Sequence, residues 1–125
     1  MIKKVLVVDD SKIMLLKIQN ILEKAGHPVI TAMTGMDGIE LARQNPDINL
    51  IITDLGMPGI SGMEMCEKIR EIPEHKNTAI LVCTTDTSSD MKDRAKRVGV
   101  KWWIVKPIND VNFGKAIDLI HQTIG

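Results

Sequence analysis

Short apolar runs alternate with longer amphipathic segments five times along the chain. Runs such as Val5–Val8 and Leu50–Ile52 are uninterrupted by polar residues. Such runs are typical of strands that are buried on both faces, and strands of this kind belong to parallel sheets. The pattern predicts strands over about residues 3–8, 29–32, 79–83 and 102–105, with a further strand, the third in chain order, that ends at Asp54.

Polar capping residues and helix breakers delimit five intervening helices. A Ser or Thr three residues before an acid is a capping box, and glycine or proline marks a helix end. In the first helix, a stripe at 4-3-4 spacing predicts the core-facing side: Met14, Ile18, Ile21 and Ala25. The predicted caps are Ser11, Thr34, Ser61 and Asn109, the fourth helix begins at about Ser89, and the predicted stops are Gly26, Pro46, Pro73 and Gly99.

Alternation of strands and helices with short connections predicts the α/β class. Right-handed crossovers then give one parallel sheet with helices on both faces, a doubly wound fold. The 125 residues suit a single domain, and no linker, repeat or low-complexity stretch divides them. We therefore expect one domain over residues 1–125.

The charge balance argues against nucleic-acid and membrane partners. Sixteen basic residues offset sixteen acidic ones, and the apolar runs are far shorter than a membrane span needs. The start of the chain lacks the apolar region of a signal peptide. Cys66 and Cys83 have no repeated spacing, which favours reduced thiols and a cytoplasmic location, and no histidine or cysteine spacing predicts a zinc site.

Charged and hydroxyl side chains follow the predicted strands at the edge where parallel strands end. Asp9, Asp10 and Asp54 end two apolar runs, Thr84 follows a third, and Lys106 follows the last. Three neighbouring carboxylates repel one another unless a cation intervenes, and Mg²⁺ suits oxygen ligands. A carboxylate nucleophile, a divalent cation and a lysine together indicate phosphoryl-transfer chemistry.

At these residues the sequence resembles the receiver domains of bacterial two-component response regulators, of the chemotaxis type. The resemblance covers essentially the whole chain and implies a flavodoxin-like (βα)5 fold, with strand order 2-1-3-4-5 in three α/β/α layers. The segments that carry it are Val7-Val-Asp9-Asp10, Asp54-Leu-Gly-Met-Pro58-Gly-Ile-Ser-Gly62, Thr84 and Lys106-Pro107.

The resemblance implies a role for each residue of the site. Asp54 would accept the phosphoryl group, while Asp9, Asp10, Asp54 and the backbone carbonyl of Gly56 would hold Mg²⁺. Lys106 would pair with the phosphoryl group, Thr84 would be the switch hydroxyl and Trp103 the switch aromatic. Pro107 is a candidate for a cis peptide bond.

The resemblance also implies how the protein signals. A sensor histidine kinase or a histidine phosphotransfer protein would donate the phosphoryl group. The protein would act through contacts of the face formed by helix four, strand five and helix five with an unknown output protein. It would bind no nucleic acid directly, be a monomer or a phosphorylation-dependent dimer, and be no enzyme beyond its own phosphorylation and dephosphorylation.

Five positions depart from what is usual in the family, among them Ile108, which follows Lys106-Pro107 where phenylalanine is common. Gly56, Thr85 and Asp86 occupy places that modulate the lifetime of the phosphorylated state. Trp102 precedes the switch position, and neighbouring strand residues point to opposite faces. We expect one of the two tryptophans to be partly exposed.

Several alternatives remain open from the sequence. Within the family, the chain could be a phosphorelay intermediate or a degenerate interaction module that is not phosphorylated. Outside it, an aspartate-nucleophile hydrolase would need an acid where Gly56 stands, and a flavodoxin would need a phosphate-binding loop where Asp9 and Asp10 stand.

Overall fold

The computed structural model describes residues 1–125 as five parallel strands and five α-helices in strict alternation. The strands are β1 Val5–Val8, β2 Val29–Ala32, β3 Leu50–Thr53, β4 Ala79–Thr84 and β5 Trp102–Val105. The helices are α1 Lys12–Lys24, α2 Gly35–Gln44, α3 Gly62–Arg70, α4 Ser89–Val98 and α5 Asp110–Thr123, and a short 3-10 helix covers Pro73–His75. None of these helices is long and apolar enough to cross a membrane.

The strands form one sheet in the order β2-β1-β3-β4-β5, and every neighbouring pair is parallel. This confirms the predicted α/β class and strand order. The register aligns Val8 with Thr53 and Thr84 with Val105, so all the strands end along one edge. The residues that follow β1, β3, β4 and β5 therefore meet at that edge, as expected for an open parallel sheet.

Alternate strand residues build two separate cores, one on each side of the sheet. On one side Leu6, Ile51 and Ile80 pack with α2, α3 and α4. On the other side Val7 and Ile52 pack with α1 and α5. The period of two along each strand directs neighbouring side chains to opposite faces, so the fold has the three layers that were predicted.

The helix starts confirm the capping predictions. The side chains of Ser11, Thr34, Ser61 and Asn109 each accept a hydrogen bond from the backbone N–H three residues later. These bonds satisfy donors that the first turn of a helix would otherwise leave free. Ser88 caps α4 in the same way, and α4 is terminated by Gly99, the residue after Val98, whose φ of 90° is left-handed.

Some sequence predictions were wrong in detail. In α1 the buried stripe is Leu15, Ile18 and Leu22, whereas Ala25 is exposed. Ile18 is therefore buried as predicted, and Met14 and Ile21 are partly buried against the same core, so the stripe is wider than predicted and only Ala25 was wrong. The third helix ends at Arg70 rather than at Pro73, which instead begins the 3-10 helix. β1 begins at Val5, and Thr84 is the last residue of β4.

Candidate functional site at the carboxyl edge of the sheet

Three carboxylates lie together where β1 and β3 end. Asp9 and Asp10 follow β1 directly, and Asp54 follows β3. One oxygen from each carboxylate lies within 4.8 Å of the others. Asp9 is buried, Asp54 is partly buried and Asp10 is exposed. The cluster thus reaches from the protein interior to solvent, which leaves one side open to an incoming group.

Lys106 joins two of these carboxylates from the end of β5. Its Nζ donates to Asp9 Oδ2 at 2.8 Å and to Asp54 Oδ2 at 2.9 Å. Its side chain is only 12% exposed, so solvent screens these ion pairs weakly. A single ammonium therefore compensates two carboxylates, which makes the site locally negative even before Asp10 is counted.

Backbone amides hold the other oxygen of each inner carboxylate. The N–H of Ser11 donates to Asp9 Oδ1 at 2.9 Å, and the N–H of Leu55 donates to Asp54 Oδ1 at 2.6 Å. A carboxylate that is bound on both oxygens keeps a fixed orientation. The sequence did not predict these two amide donors, since they depend on the exact turn after each strand.

The environment keeps Asp54 ionised. Burial alone would raise the pKa of the Asp54 carboxyl group. The hydrogen bond and the charge of Lys106 outweigh burial and lower this pKa below its usual value, and hydrogen bonds from the Thr84 hydroxyl and the Leu55 amide lower it further. In return, although burial would lower the pKa of Lys106, its bonds to Asp9 and Asp54 raise it. At neutral pH the site therefore presents an ionised carboxylate beside a lysine ammonium.

Gly62 allows α3 to approach the backbone of the site. A β-carbon at this position would overlap the carbonyl oxygen of Asp54 and lie 3.0 Å from the α-carbon of Leu55. The Gly62 N–H also donates to the carbonyl of Leu55 at 3.0 Å. From the sequence this position was known as part of a capping box and of the family segment that ends at Gly62, but the close approach was not predicted; a glycine in the first turn of a helix, where it is unfavourable, was the available signal.

Thr84 lies next to the carboxylates at the end of β4. Its side chain is buried, and its Oγ1 accepts a hydrogen bond from the Asp86 N–H at 3.3 Å. The Asp86 carboxylate in turn accepts from the Ser88 N–H at 2.8 Å, and this bond lowers the pKa of Asp86. Asp86 thus shapes the turn into α4, and Thr85 beside it is exposed.

The two tryptophans of β5 point to opposite sides of the sheet. Trp103 packs against the core on the α4 side, and Trp102 packs against the core on the α5 side. Both are partly exposed, rather than one of the two. Trp103 lies opposite Val82 in the register, which puts it diagonally next to Thr84 on the same face. Its buried Nε1 has no hydrogen-bond acceptor.

The remaining predicted positions lie at the rim of the site. Gly56 is exposed, a β-carbon there would contact nothing within 4 Å, and its N–H lies 3.4 Å from Asp54 Oδ1. The Lys106–Pro107 peptide bond is cis, as the resemblance implied. Cys66 and Cys83 are both buried, and burial raises the pKa of their thiols to about 12 and about 11, so neither supplies a thiolate.

The arrangement fits the chemistry of a hard divalent cation and of phosphoryl transfer. Carboxylate and backbone oxygens are the ligands that Mg²⁺ accepts, and Asp9, Asp10 and Asp54 supply the carboxylates in one cluster. Asp54 is ionised, oriented and reachable from solvent, with a lysine positioned to meet added negative charge. No histidine or cysteine joins the cluster.

Comparison with known proteins gives a consistent result. The model of the response regulator receiver domain matches residues 5–118. Protein PilH of Pseudomonas aeruginosa is 32% identical over 118 residues, which cover 94% of this chain and 96% of PilH. Chemotaxis protein CheY1 of Helicobacter pylori is 35% identical over 121 residues, covering 96% of this chain and 98% of CheY1.

A solved structure has the same fold. Chemotaxis protein CheY4 of Vibrio cholerae superimposes with a TM-score of 0.88 at 35% sequence identity, over 96% of this chain and 99% of that one. A receiver domain protein from Methanospirillum hungatei superimposes with a TM-score of 0.85 at 26% identity, over 96% of this chain and 94% of that one.

Proposed function

The chain belongs to the family of response regulator receiver domains, the signalling switches of two-component systems, and from that premise we propose that residues 1–125 form one receiver switched by phosphorylation of Asp54. The observation that carries the proposal is the ionised Asp54 carboxylate, held by Lys106 and the Leu55 amide and open to solvent on one side.

In the proposed transfer, an Asp54 oxygen attacks the phosphorus of a phosphohistidine. An O–P bond forms, the N–P bond breaks, and the imidazole of the donor leaves. The donor is a sensor histidine kinase or a histidine phosphotransfer protein, and slow hydrolysis of the acyl phosphate by water restores Asp54. Lys106, 2.9 Å from Asp54 Oδ2, pairs with the negative charge that the phosphoryl group brings.

Mg²⁺ fits the site as the metal cofactor. Asp9, Asp10 and Asp54, with the backbone carbonyl of Gly56, would hold it. When bound it neutralises phosphoryl charge, as divalent ions do in phosphoryl transfer generally. Lys106 alone cannot balance three carboxylates and a phosphoryl group, so a bound cation would supply the remaining positive charge.

Thr84 and Trp103 form the proposed switch. A phosphoryl group on Asp54 offers new acceptor oxygens to the Thr84 hydroxyl, which now accepts from the Asp86 N–H. Movement of Thr84 opens space beside its diagonal neighbour Trp103. The indole N–H of Trp103 is buried without a partner, which is unfavourable, so a ring position that gives it an acceptor is favoured.

The output of this switch is a change in the surface formed by α4, β5 and α5. A partner protein that prefers one form of this surface then reads the phosphorylation state. We place the protein in the cytoplasm, as a monomer or a phosphorylation-dependent dimer that signals through protein contacts.

Intact-mass measurement after treatment with acetyl phosphate and Mg²⁺ tests the proposal. We expect the mass of one phosphoryl group on the wild type and none on Asp54→Asn. Asp47→Asn is the matched control, because Asp47 pairs with Lys4 and lies at the opposite edge of the sheet. No added mass on the wild type would identify a degenerate interaction module, and added mass on Asp54→Asn would identify another acceptor.

A further inference from the structure

A basic groove lies at the edge of the sheet opposite the carboxylates. It runs between the ends of α3 and α4 and the segments that lead into β4 and β5, and it encloses about 830 Å³. Its charged lining, which defines the basic groove, consists of Arg70, Lys76, Arg94, Arg97, Lys101 and Glu67.

The groove concentrates positive charge in a protein that has no net charge. Five cationic side chains and one carboxylate line it, an excess of four positive charges. The whole chain has sixteen basic and sixteen acidic residues. The cationic side chains of the groove come from several helices and loops. The charged residues of an ordinary solvent-exposed helix face would all come from one helix.

Arg70 has a structural role in the groove, because it binds backbone carbonyls. Its guanidinium donates to the carbonyls of Val98 at 2.9 Å, Gly99 at 3.3 Å, His75 at 2.9 Å and Thr78 at 2.6 Å. It thereby satisfies the free carbonyls where α4 ends, which is the usual reason for a cation at a helix C-terminus. The other cations are not needed for that purpose, and Arg70 gives the groove a fixed floor.

Three of the remaining cations have no acidic partner. Arg94 is paired with Glu67 at 2.6 Å. Lys76, Arg97 and Lys101 are exposed and form no ion pair, and the Lys101 ammonium lies over the Trp102 ring, 6.0 Å from its centre. They lie on three different segments around the groove and remain available to an external anion.

We propose that the basic groove docks an acidic segment of a partner protein. Small-molecule pockets are usually enclosed and mostly apolar, but this groove is open and Val98 is its one apolar side chain. Its positive charge can complement a negatively charged segment, and such charge complementarity steers and orients protein partners. The proposal goes beyond the phosphorylation switch, because it uses no residue of the carboxylate site and can fail while that proposal stands.

Binding of a fluorescein-labelled peptide of about ten glutamates tests the charge requirement. We expect the wild type to bind it with an affinity that falls as salt is raised. Arg97→Glu/Lys101→Glu should weaken binding by at least about tenfold. The matched control is Lys96→Glu/Lys115→Glu, which makes the same change in net charge at two exposed lysines outside the groove and should weaken binding less than about twofold.

Amide chemical shifts of the unaltered protein provide a second measurement that does not depend on any variant. The peptide should shift the amides of Val98 and Gly99 at the floor of the groove and leave those of Asp9 and Asp54 in place. Equal weakening by the two double variants, or no binding to the wild type, would overturn the proposal. Stronger binding of tripolyphosphate or of an oligothymidine of similar charge would replace the acidic segment with a small polyanion or a nucleic acid.

Discussion

Gly62 and Asp54 are in such close contact that no side chain fits between them: a β-carbon on Gly62 would overlap the Asp54 carbonyl oxygen. The first turn of α3 therefore packs directly on the residue that we propose as the phosphoacceptor. The position of Asp54 therefore depends on Gly62 having no β-carbon, as well as on the hydrogen bonds that the Asp54 carboxylate accepts.

Gly62→Ala should destabilise the protein by about 3 kcal/mol, because the backbone that it meets cannot move aside as a flexible side chain would. Gly114→Ala is the matched control. A β-carbon there meets nothing within 4 Å in the middle of α5, and the change should stabilise the fold by about 0.5–1 kcal/mol. Urea unfolding measures both, and similar free energies for the two variants would contradict the close approach.

Lys106→Met should lower the free energy of unfolding by about 2 kcal/mol in metal-free buffer. The change leaves the buried Asp9 carboxylate without its cation, although Asp9 keeps the Ser11 amide. The double variant Lys106→Met/Asp9→Asn should recover most of the loss, since it removes the uncompensated charge. Additive effects of the two single changes in a double-mutant cycle would show that the pair does not interact.

The stability contributed by Asp54 should depend on pH in the acid range. Because Lys106 and Leu55 hold its folded pKa below the ordinary value of about 3.9, the contribution is complete above that value and is lost as the pH falls through the folded pKa. The difference in unfolding free energy between the wild type and Asp54→Asn should be constant near neutral pH and move in favour of the variant below about pH 4. If the difference in unfolding free energy stayed constant into the acid range, the Asp54 carboxylate would not be stabilised by its neighbours in the folded protein.

Mg²⁺ should stabilise the wild type against unfolding. At a concentration of about 100 times the dissociation constant, a ligand that binds only the folded state adds about 2.7 kcal/mol. Asp10→Asn removes an exposed carboxylate of the cluster and should weaken Mg²⁺ binding by about tenfold, so about half of this gain disappears at the same concentration. Equal stabilisation of both proteins would show that Asp10 is not a ligand.

Tryptophan fluorescence should report phosphorylation through Trp103 alone. Trp103 shares a sheet face with Thr84, whereas Trp102 packs on the other side. After acetyl phosphate and Mg²⁺, Trp102→Phe should keep the signal of the wild type and Trp103→Phe should lose it. Thr84→Ala should reduce the signal while the added mass remains. The reverse result for the two tryptophan variants would place the moving element on the α5 side.

Local rules were enough to predict the framework of the site. Apolar runs located the strands, and capping residues located four helix starts, because both signals depend on neighbouring residues only. The ends of parallel strands must share an edge, so Asp54 and Lys106 were expected together, and their atoms are 2.9 Å apart.

Features that depend on distant packing could not be predicted in this way. The single Lys106 bond to both Asp9 and Asp54, and the overlap that excludes a side chain at Gly62, require the actual positions of separate elements. The same holds for Arg70, whose guanidinium donates to four carbonyls in two stretches of chain, residues 75–78 and 98–99. The core-facing stripe of α1 was predicted too narrow, without Leu15 and Leu22, because the apolar residues of α1 outnumber those that one stripe needs.

The strands differ in how completely they are covered. All residues of β1, β3 and β4 are buried, whereas the first three residues of β5 at the edge are partly exposed and Val105 is exposed. Edge segments with fewer buried contacts open at lower free energy than the centre of a sheet. Amide hydrogen exchange should therefore be slowest in β1, β3 and β4 and faster in β5, which holds Trp103 and leads into Lys106. We therefore expect the carboxylates to follow the strands that open last, while β5, which must respond to them, opens and rearranges at a lower free energy.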